Sequence, residues 1–80
     1  MEKRREARTR TLKKARIVFN EGRSVIDCIV RNLSPNGALL VLPSVVGVPE
    51  TFDLLIESDG SSHRACTRWK GNGKIGVEFR

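Results

Sequence analysis

The stretch that decides the fold is Val25–Leu42, with the sequence VIDCIVRNLSPNGALLVL. Its first half alternates with a period of two, so one face of an extended strand carries Ile26, Cys28 and Val30. Pro-Asn-Gly then marks a turn, and an uninterrupted apolar run follows, as in the strand of a barrel. The stretch therefore predicts two β-strands joined by a tight connection.

Four further strands are predicted outside this stretch, each a short apolar or β-branched run bounded by Gly, Pro, Asn or Ser. They are Ala15–Phe19, Phe52–Ile56, His63–Lys70 and Ile75–Phe79. Six short strands in 80 residues, without a convincing helix, predict an all-β fold. We expect a six-stranded antiparallel β-barrel, because closure removes the exposed sheet edges that promote aggregation.

The positive charge of the chain is confined to its N-terminus. Residues 1–16 hold eight Lys or Arg and two Glu, which accounts for the whole net charge of +6, and residues 17–80 are balanced. We predict a flexible basic arm over residues 1–11 followed by the barrel over residues 12–80. Such an arm is either a solvated tail that aids solubility or a binding segment for an anionic partner.

The residues that carry most metal and redox chemistry are few and scattered. Cys28 and Cys66 are isolated, and His63 is the only histidine, so no zinc site and no nucleophile–base pair is predicted. Both cysteines lie in apolar or β-branched runs, which favours reduced, packed thiols over a disulfide. We expect no catalytic residue, metal or cofactor.

No part of the chain has the composition of a membrane or export segment. No run approaches the ~18 apolar residues of a membrane span, and no apolar segment follows the basic N-terminus as in a signal peptide. We therefore expect a cytoplasmic protein without membrane insertion.

The basic arm contains the pattern Arg-x-x-x-Arg, formed by Arg4 and Arg8. Residues four apart lie on one side of either a helix or a strand, so both can address one ligand. The planar guanidinium donates paired hydrogen bonds to phosphate or to the O6/N7 edge of guanine. Taken alone, the same spacing also occurs by chance in a basic run.

A second pattern lies where the two strands of the deciding stretch meet. Asn32 and Ser34 are two residues apart, so on a strand they point the same way and can bind a base edge together. Gly37 would let the backbone approach a ligand closely. The alternative is a turn without a ligand, in which Asn36-Gly37 forms the bend and Ser34 caps it.

Together the two patterns resemble the PilZ domain, a bacterial family of six-stranded β-barrels that bind cyclic di-GMP. That family carries Arg-x-x-x-Arg in an N-terminal arm and (Asp/Asn)-x-Ser-x-x-Gly later in the chain. Here 23 residues separate Arg8 from Asn32. The end of the chain is also similar, with Trp69, a turn and then Ile75–Phe79.

The resemblance implies a receptor for cyclic di-GMP that passes the signal to a downstream protein effector, which the sequence does not identify. Arg4 and Arg8 would hold the guanines and phosphates of the ligand. Asn32 and Ser34 would bind a guanine edge, with Gly37 leaving room for it. Three other basic residues are candidates for additional contacts: Lys3, Arg5 and Arg10. For Arg5 and Arg10, solvation without a ligand is the alternative.

Two other functions fit a small barrel with a basic arm. A barrel that binds RNA or single-stranded DNA needs exposed aromatic side chains and a basic groove. The four aromatic residues, however, occupy predicted core positions: Phe19, Phe52, Phe79 and Trp69. For Trp69 a ligand-stacking role is the alternative. We therefore disfavour nucleic acid, and the complete motifs argue against a ligand-free barrel that only contacts proteins.

Overall fold

Six antiparallel strands close into a barrel in the order β1-β2-β3-β6-β5-β4, which confirms the predicted fold. The structure is a computed structural model that describes the backbone of residues 9–80 and the side chains of residues 11–80. No helix occurs in these residues, and so none that could cross a membrane. The strands are β1 (Thr9–Phe19), β2 (Ser24–Ser34), β3 (Gly37–Val41), β4 (Thr51–Ile56), β5 (Ser61–Lys70) and β6 (Lys74–Phe79).

The barrel interior follows the period-two alternation of the sequence. In β4, Phe52, Leu54 and Ile56 are buried while the residues between them are more exposed. Cys28 and Val30 do the same in β2. The largest fully buried side chains are Phe52, Ile17, Leu40, Leu54, Ile56, Ile75 and Val30. These apolar side chains fill the barrel from all sides, which makes it a packed core rather than a channel.

Strand β1 is longer than its sequence indicates. It begins at Thr9 instead of Ala15 and pairs with β2 through Thr9 opposite Leu33 and Arg10 opposite Asn32. The first residues of β1 show no alternation of apolar and polar side chains, so the sequence pattern did not predict a strand there. The pairing sets the start of the described chain beside the Asn32–Ser34 segment.

Register shifts interrupt three strand pairings, each through one extra residue: β1 with β2 between Arg10 and Lys13, β2 with β3, and β5 with β6. Arg31 is the extra residue of β2 between Val30 and Asn32, opposite β3. Arg68 is the extra residue of β5 between Thr67 and Trp69, opposite β6. One additional residue reverses the alternation beyond it, so side chains that would have pointed into the barrel point outward instead.

The prediction that Trp69 lies in the core is wrong, and the bulge in β5 is the reason. Uninterrupted alternation would put Trp69 on the inner face with Ala65, which is fully buried. After Arg68 the indole lies outside the barrel and is 50% exposed. Among the phenylalanines, Phe52 is buried, and two others are half-buried against the core, Phe19 and Phe79.

Both cysteines are free, buried thiols, as the sequence predicted. Burial, with a smaller contribution from the charge of Asp27, raises the pKa of Cys28 to about 12. A thiol with so high a pKa stays protonated and is a weak nucleophile near neutral pH. Cys28 is thus a packing residue.

Candidate ligand-binding site

One row of register partners crosses five strands on the outer face of the barrel. It runs from Arg10 through Asn32, Leu39 and Gly76 to Trp69. Directly opposed residues of neighbouring strands share a face, and the bulges in β2 and β5 put this row outside. Asn32 and Trp69, which are far apart in sequence, therefore lie on one surface, and the backbone of Arg10 is the next register position beyond Asn32.

A second row runs parallel to the first, two residues further along each strand. It joins Ser34 on β2, Gly37 on β3 and Glu78 on β6. Residues two apart on a strand lie about 7 Å from each other, and neighbouring strands are about 4.8 Å apart. The two rows therefore outline a shallow depression with β3 as its floor.

This depression, called the outer trough below, has a volume of about 430 Å³, within the usual range for ligand pockets. Side chains of β2 line one side and those of β5 and β6 the other. Its lining residues are Asn32, Ser34, Asn36, Gly37, Ala38, Leu39, Arg68, Trp69, Gly76, Val77 and Glu78. Amide, hydroxyl, aromatic and charged groups thus converge on one surface.

The wall at Trp69 depends on the glycine beneath it. A Cβ on Gly76 would clash with the indole, lying 2.8 Å from Cδ1 and closer still to Nε1. The indole of Trp69 therefore lies against the backbone of β6. Because half of the side chain remains exposed in the trough, it offers an aromatic surface on which a planar base can stack.

The absence of a side chain at Gly37 serves the barrel itself. A Cβ there would collide with the carbonyl group of Val77 and lie 3.3 Å from Cα of Glu78. Gly37 thus permits the close approach of β3 to β6 at the floor of the trough. This contact does not test the predicted role of Gly37 in making room for a ligand. Any substitution of Gly37 would disturb the pairing of β3 with β6, whether or not a ligand is bound.

Ser34 caps the turn between β2 and β3 while it lines the trough. Its hydroxyl donates to the carbonyl oxygen of Gly37 and accepts from the backbone N–H of Asn36, both at 3.3 Å. The capping role considered from the sequence is therefore present. A hydroxyl oxygen has two lone pairs, so Ser34 can accept one further hydrogen bond from a ligand.

Two charged residues of the trough were not singled out from the sequence. Arg68 and Glu78 form an ion pair in which Nε of Arg68 lies 3.3 Å from Oε1 of Glu78. Both side chains are about half exposed. No local pattern could have revealed them, because the outward direction of Arg68 depends on the bulge that contains it.

The structure brings together three of the predicted ligand-binding residues, Asn32, Ser34 and Gly37, in the outer trough. For Arg10 it describes the backbone, which is the register partner of Asn32. The other predicted contacts lie outside the described residues: Lys3, Arg4, Arg5 and Arg8.

The Asp59–Ser61–His63 cluster contains the residue types of a hydrolase triad in a different order. The Ser61 hydroxyl donates to Oδ1 of Asp59 at 2.6 Å, and its oxygen lies 3.0 Å from Nε2 of His63. Hydrogen bonds from Ser61 hold the pKa of Asp59 below its ordinary value. The hydroxyl proton is directed at the carboxylate, so His63 is not placed to remove it as a general base.

Within residues 9–80, no three His, Cys, Asp or Glu side chains are grouped closely enough to hold a metal ion. The fold and the trough define a small all-β barrel domain with a candidate ligand site on its outer face.

The chain belongs to the PilZ domain family. The family model for the PilZ domain matches residues 2–80, which include both the Arg-x-x-x-Arg pattern and all six strands. PilZ is the known cyclic di-GMP-binding domain, and the family binds its ligand without catalysing a reaction. No curated protein matches the chain at a significant level.

Proposed function

We propose that this chain is a cyclic di-GMP receptor that binds the dinucleotide in the outer trough and passes the signal to a protein partner. The observation that supports it most is the row from Arg10 to Trp69. This row joins a polar amide, an apolar floor and an exposed indole on one face. It also ends on the strand that leads to Arg8.

The trough offers complementary groups for a guanine. The indole of Trp69 stacks on a base, which contributes roughly 1–3 kcal/mol in other nucleic-acid-binding proteins. The Asn32 amide presents both an acceptor and a donor, and the Ser34 hydroxyl presents an acceptor. In this proposal they bind the polar edge of a base whose face lies on Trp69.

The basic arm supplies the positive charge for the phosphates. Arg8 is bonded to Thr9, which pairs with Leu33 beside the trough, and Arg4 is at most about 18 Å of extended chain from Thr9. Arg4 and Arg8 hold phosphate and guanine in this proposal, and Lys3, Arg5 and Arg10 add contacts to phosphate. Each bidentate Arg–guanine contact contributes about 1–3 kcal/mol, against about 1–2 kcal/mol per residue for ordering the arm.

These opposing contributions favour micromolar rather than nanomolar affinity, and the test is a calorimetric titration with cyclic di-GMP. GTP and cyclic AMP serve as controls for selectivity. Arg8→Ala should abolish measurable binding. Arg23→Ala removes an exposed arginine in the turn between β1 and β2, so this matched variant should bind like the wild type.

Each failure of this experiment has a distinct meaning. A folded wild type that gives no heat with cyclic di-GMP would contradict the proposal and favour the ligand-free barrel that contacts proteins. Binding of any polyanion, with a steep loss of affinity as salt is added, would favour RNA or single-stranded DNA instead. The exposure of Trp69 makes that control necessary, because an exposed aromatic side chain is also what a nucleic-acid-binding barrel uses.

A further inference from the structure

We infer that Glu78 determines the preference for guanine by accepting hydrogen bonds from N1–H and the 2-amino group of a base in the trough, with Arg68 neutralising its charge. This inference rests on the proposed function and assigns a specificity role to the Arg68–Glu78 ion pair within it.

The first argument is position. Glu78 lies two residues from Gly76 on the same outer face of β6, and the indole of Trp69 lies against Gly76. A separation of two strand residues is about 7 Å. A base that stacks on the indole therefore has Glu78 along one side of it, while Asn32 and Ser34 lie across β3 at about 10 Å, two strand spacings away.

The second argument is hydrogen-bonding chemistry. Guanine presents two neighbouring donors, N1–H and the 2-amino group, whereas adenine presents neither. An ionised carboxylate accepts hydrogen bonds only, and its two oxygens can accept two parallel bonds. Asn32 cannot do the same, because one of its two terminal atoms is a donor.

The third argument is charge. A lone carboxylate would repel the phosphates of an anionic dinucleotide, so an acid in this trough needs compensation. Arg68 provides it through Nε at 3.3 Å. Among the lining residues that the structure describes, these two opposite charges are the only ones. The bulge makes this possible, because the extra residue turns outward beside Trp69.

The barrel contains a matched ion pair outside the trough. Arg64 and Asp53 lie 3.3 Å apart on β5 and β4, with exposures close to those of Arg68 and Glu78. An exposed pair of this kind contributes less than about 1 kcal/mol to stability. Asp53→Asn therefore controls for the loss of a surface carboxylate, and Glu78→Gln is the test variant of the same chemical size.

The experiment titrates wild type, Glu78→Gln and Asp53→Asn with cyclic di-GMP and with cyclic di-IMP, whose bases lack the 2-amino group. Glu78→Gln should weaken cyclic di-GMP binding about 10-fold or more, because a hydrogen bond to a charged acceptor is replaced by a donor facing a donor. For cyclic di-IMP the loss should be about 3-fold or less, since one of the two contacts is already missing. Asp53→Asn should leave both affinities within about 2-fold of wild type.

Arg68→Ala, made in the wild type and in Glu78→Gln, tests the second half of the inference. The arginine neutralises Glu78, so its removal should weaken binding about 10-fold in the wild type and about 2-fold in the Gln background. Equal losses in both backgrounds would contradict this role for Arg68. The role of Glu78 would be overturned if Glu78→Gln lost equal affinity for the two ligands. It would also be overturned if Glu78→Gln lost no more affinity than Asp53→Asn.

If the wild type binds no cyclic di-GMP, both the proposed function and this inference are wrong. A wild type that binds the dinucleotide while Glu78→Gln behaves like Asp53→Asn would remove this inference alone. Thermal unfolding of each variant separates either result from a loss of folded protein.

Discussion

Strands β4 and β5 are neighbours in the barrel but use their residues differently. In β4 every second residue is buried, and its pairings with β1 and β5 contain no register shift. In β5 the alternation breaks at Arg68, and the residues around the break line the outer trough. The regular strand builds the core, whereas the interrupted strand builds the candidate site.

The largest expected difference between the regular strand and the bulged strand is the loss of stability when one residue is deleted. Deleting Asp53 shifts one part of β4 by one position, so either Phe52 or both Leu54 and Ile56 leave the core. The loss should be about 3–5 kcal/mol, a large part of the stability of a small domain. Deleting Arg68 removes only the extra residue of the bulge and should cost less than about 2 kcal/mol.

Urea unfolding followed by circular dichroism measures both deletions. The comparison between regular and bulged strands would be refuted if the Arg68 deletion destabilised the barrel as much as the Asp53 deletion. Such a result would mean that Arg68 is a pairing residue of β5 rather than the extra residue of a bulge.

Replacement of Trp69 should weaken ligand binding while changing the stability of the barrel little. The side chain lies outside the core and is half exposed, so Trp69→Ala should reduce stability by about 1 kcal/mol or less. Loss of base stacking should weaken cyclic di-GMP binding by about 1–3 kcal/mol, or roughly 5- to 150-fold. Phe52→Ala is the opposite case, with a large loss of stability because Phe52 is fully buried.

Calorimetry and thermal unfolding on the same samples check this prediction. A Trp69→Ala protein that bound normally would exclude Trp69 from the ligand contacts and leave the trough without its aromatic wall. One that lost its stability as Phe52→Ala does would show that the indole packs as a core residue.

At neutral pH the smallest effect is expected for Cys28, in the regular half of β2. Burial raises its pKa from the ordinary 9.0 to about 12, so above pH 9 the unfolded chain loses this proton before the folded chain does. Stability is therefore unaffected below pH 9 and falls between pH 9 and about 12, by up to about 1.4 kcal/mol per pH unit.

Urea unfolding at several pH values, for wild type and Cys28→Val, isolates this contribution. Valine keeps an apolar side chain at the position but does not titrate. The variant should show a shallower fall in stability above pH 9. Parallel curves for the two proteins would mean that Cys28 is not buried as a neutral thiol in solution.

The sequence was sufficient for the barrel because its core strands appear as apolar alternation or as short apolar runs. Phe52, Leu54 and Ile56 show the period directly, and Gly- and Asn-containing turns separate the strands. The first part of β1 was missed, since its stability comes from pairing with β2 rather than from an apolar face. Alternation therefore predicts strands that contribute side chains to the core. It does not predict the first part of β1, none of whose described side chains lies in the core.

The site was only partly predictable for a related reason. Motif spacing placed Asn32 and Ser34 on one side of a strand, which agrees with their common place in the trough. The side chains of Asn32, Ser34 and Trp69 point outward because of the bulges. Arg31 and Arg68 are the extra residues that form those bulges. A bulge is set by the pairing of two strands, so neither strand's own sequence reveals it.

The position of Trp69 has a practical consequence for solution work. The chain contains one tryptophan and no tyrosine, so nearly all of its intrinsic fluorescence originates from the indole against Gly76. The emission of the unlabelled protein is thus a local signal from the candidate site. Its wavelength reports how much water reaches the trough wall, while the three phenylalanines contribute almost no emission.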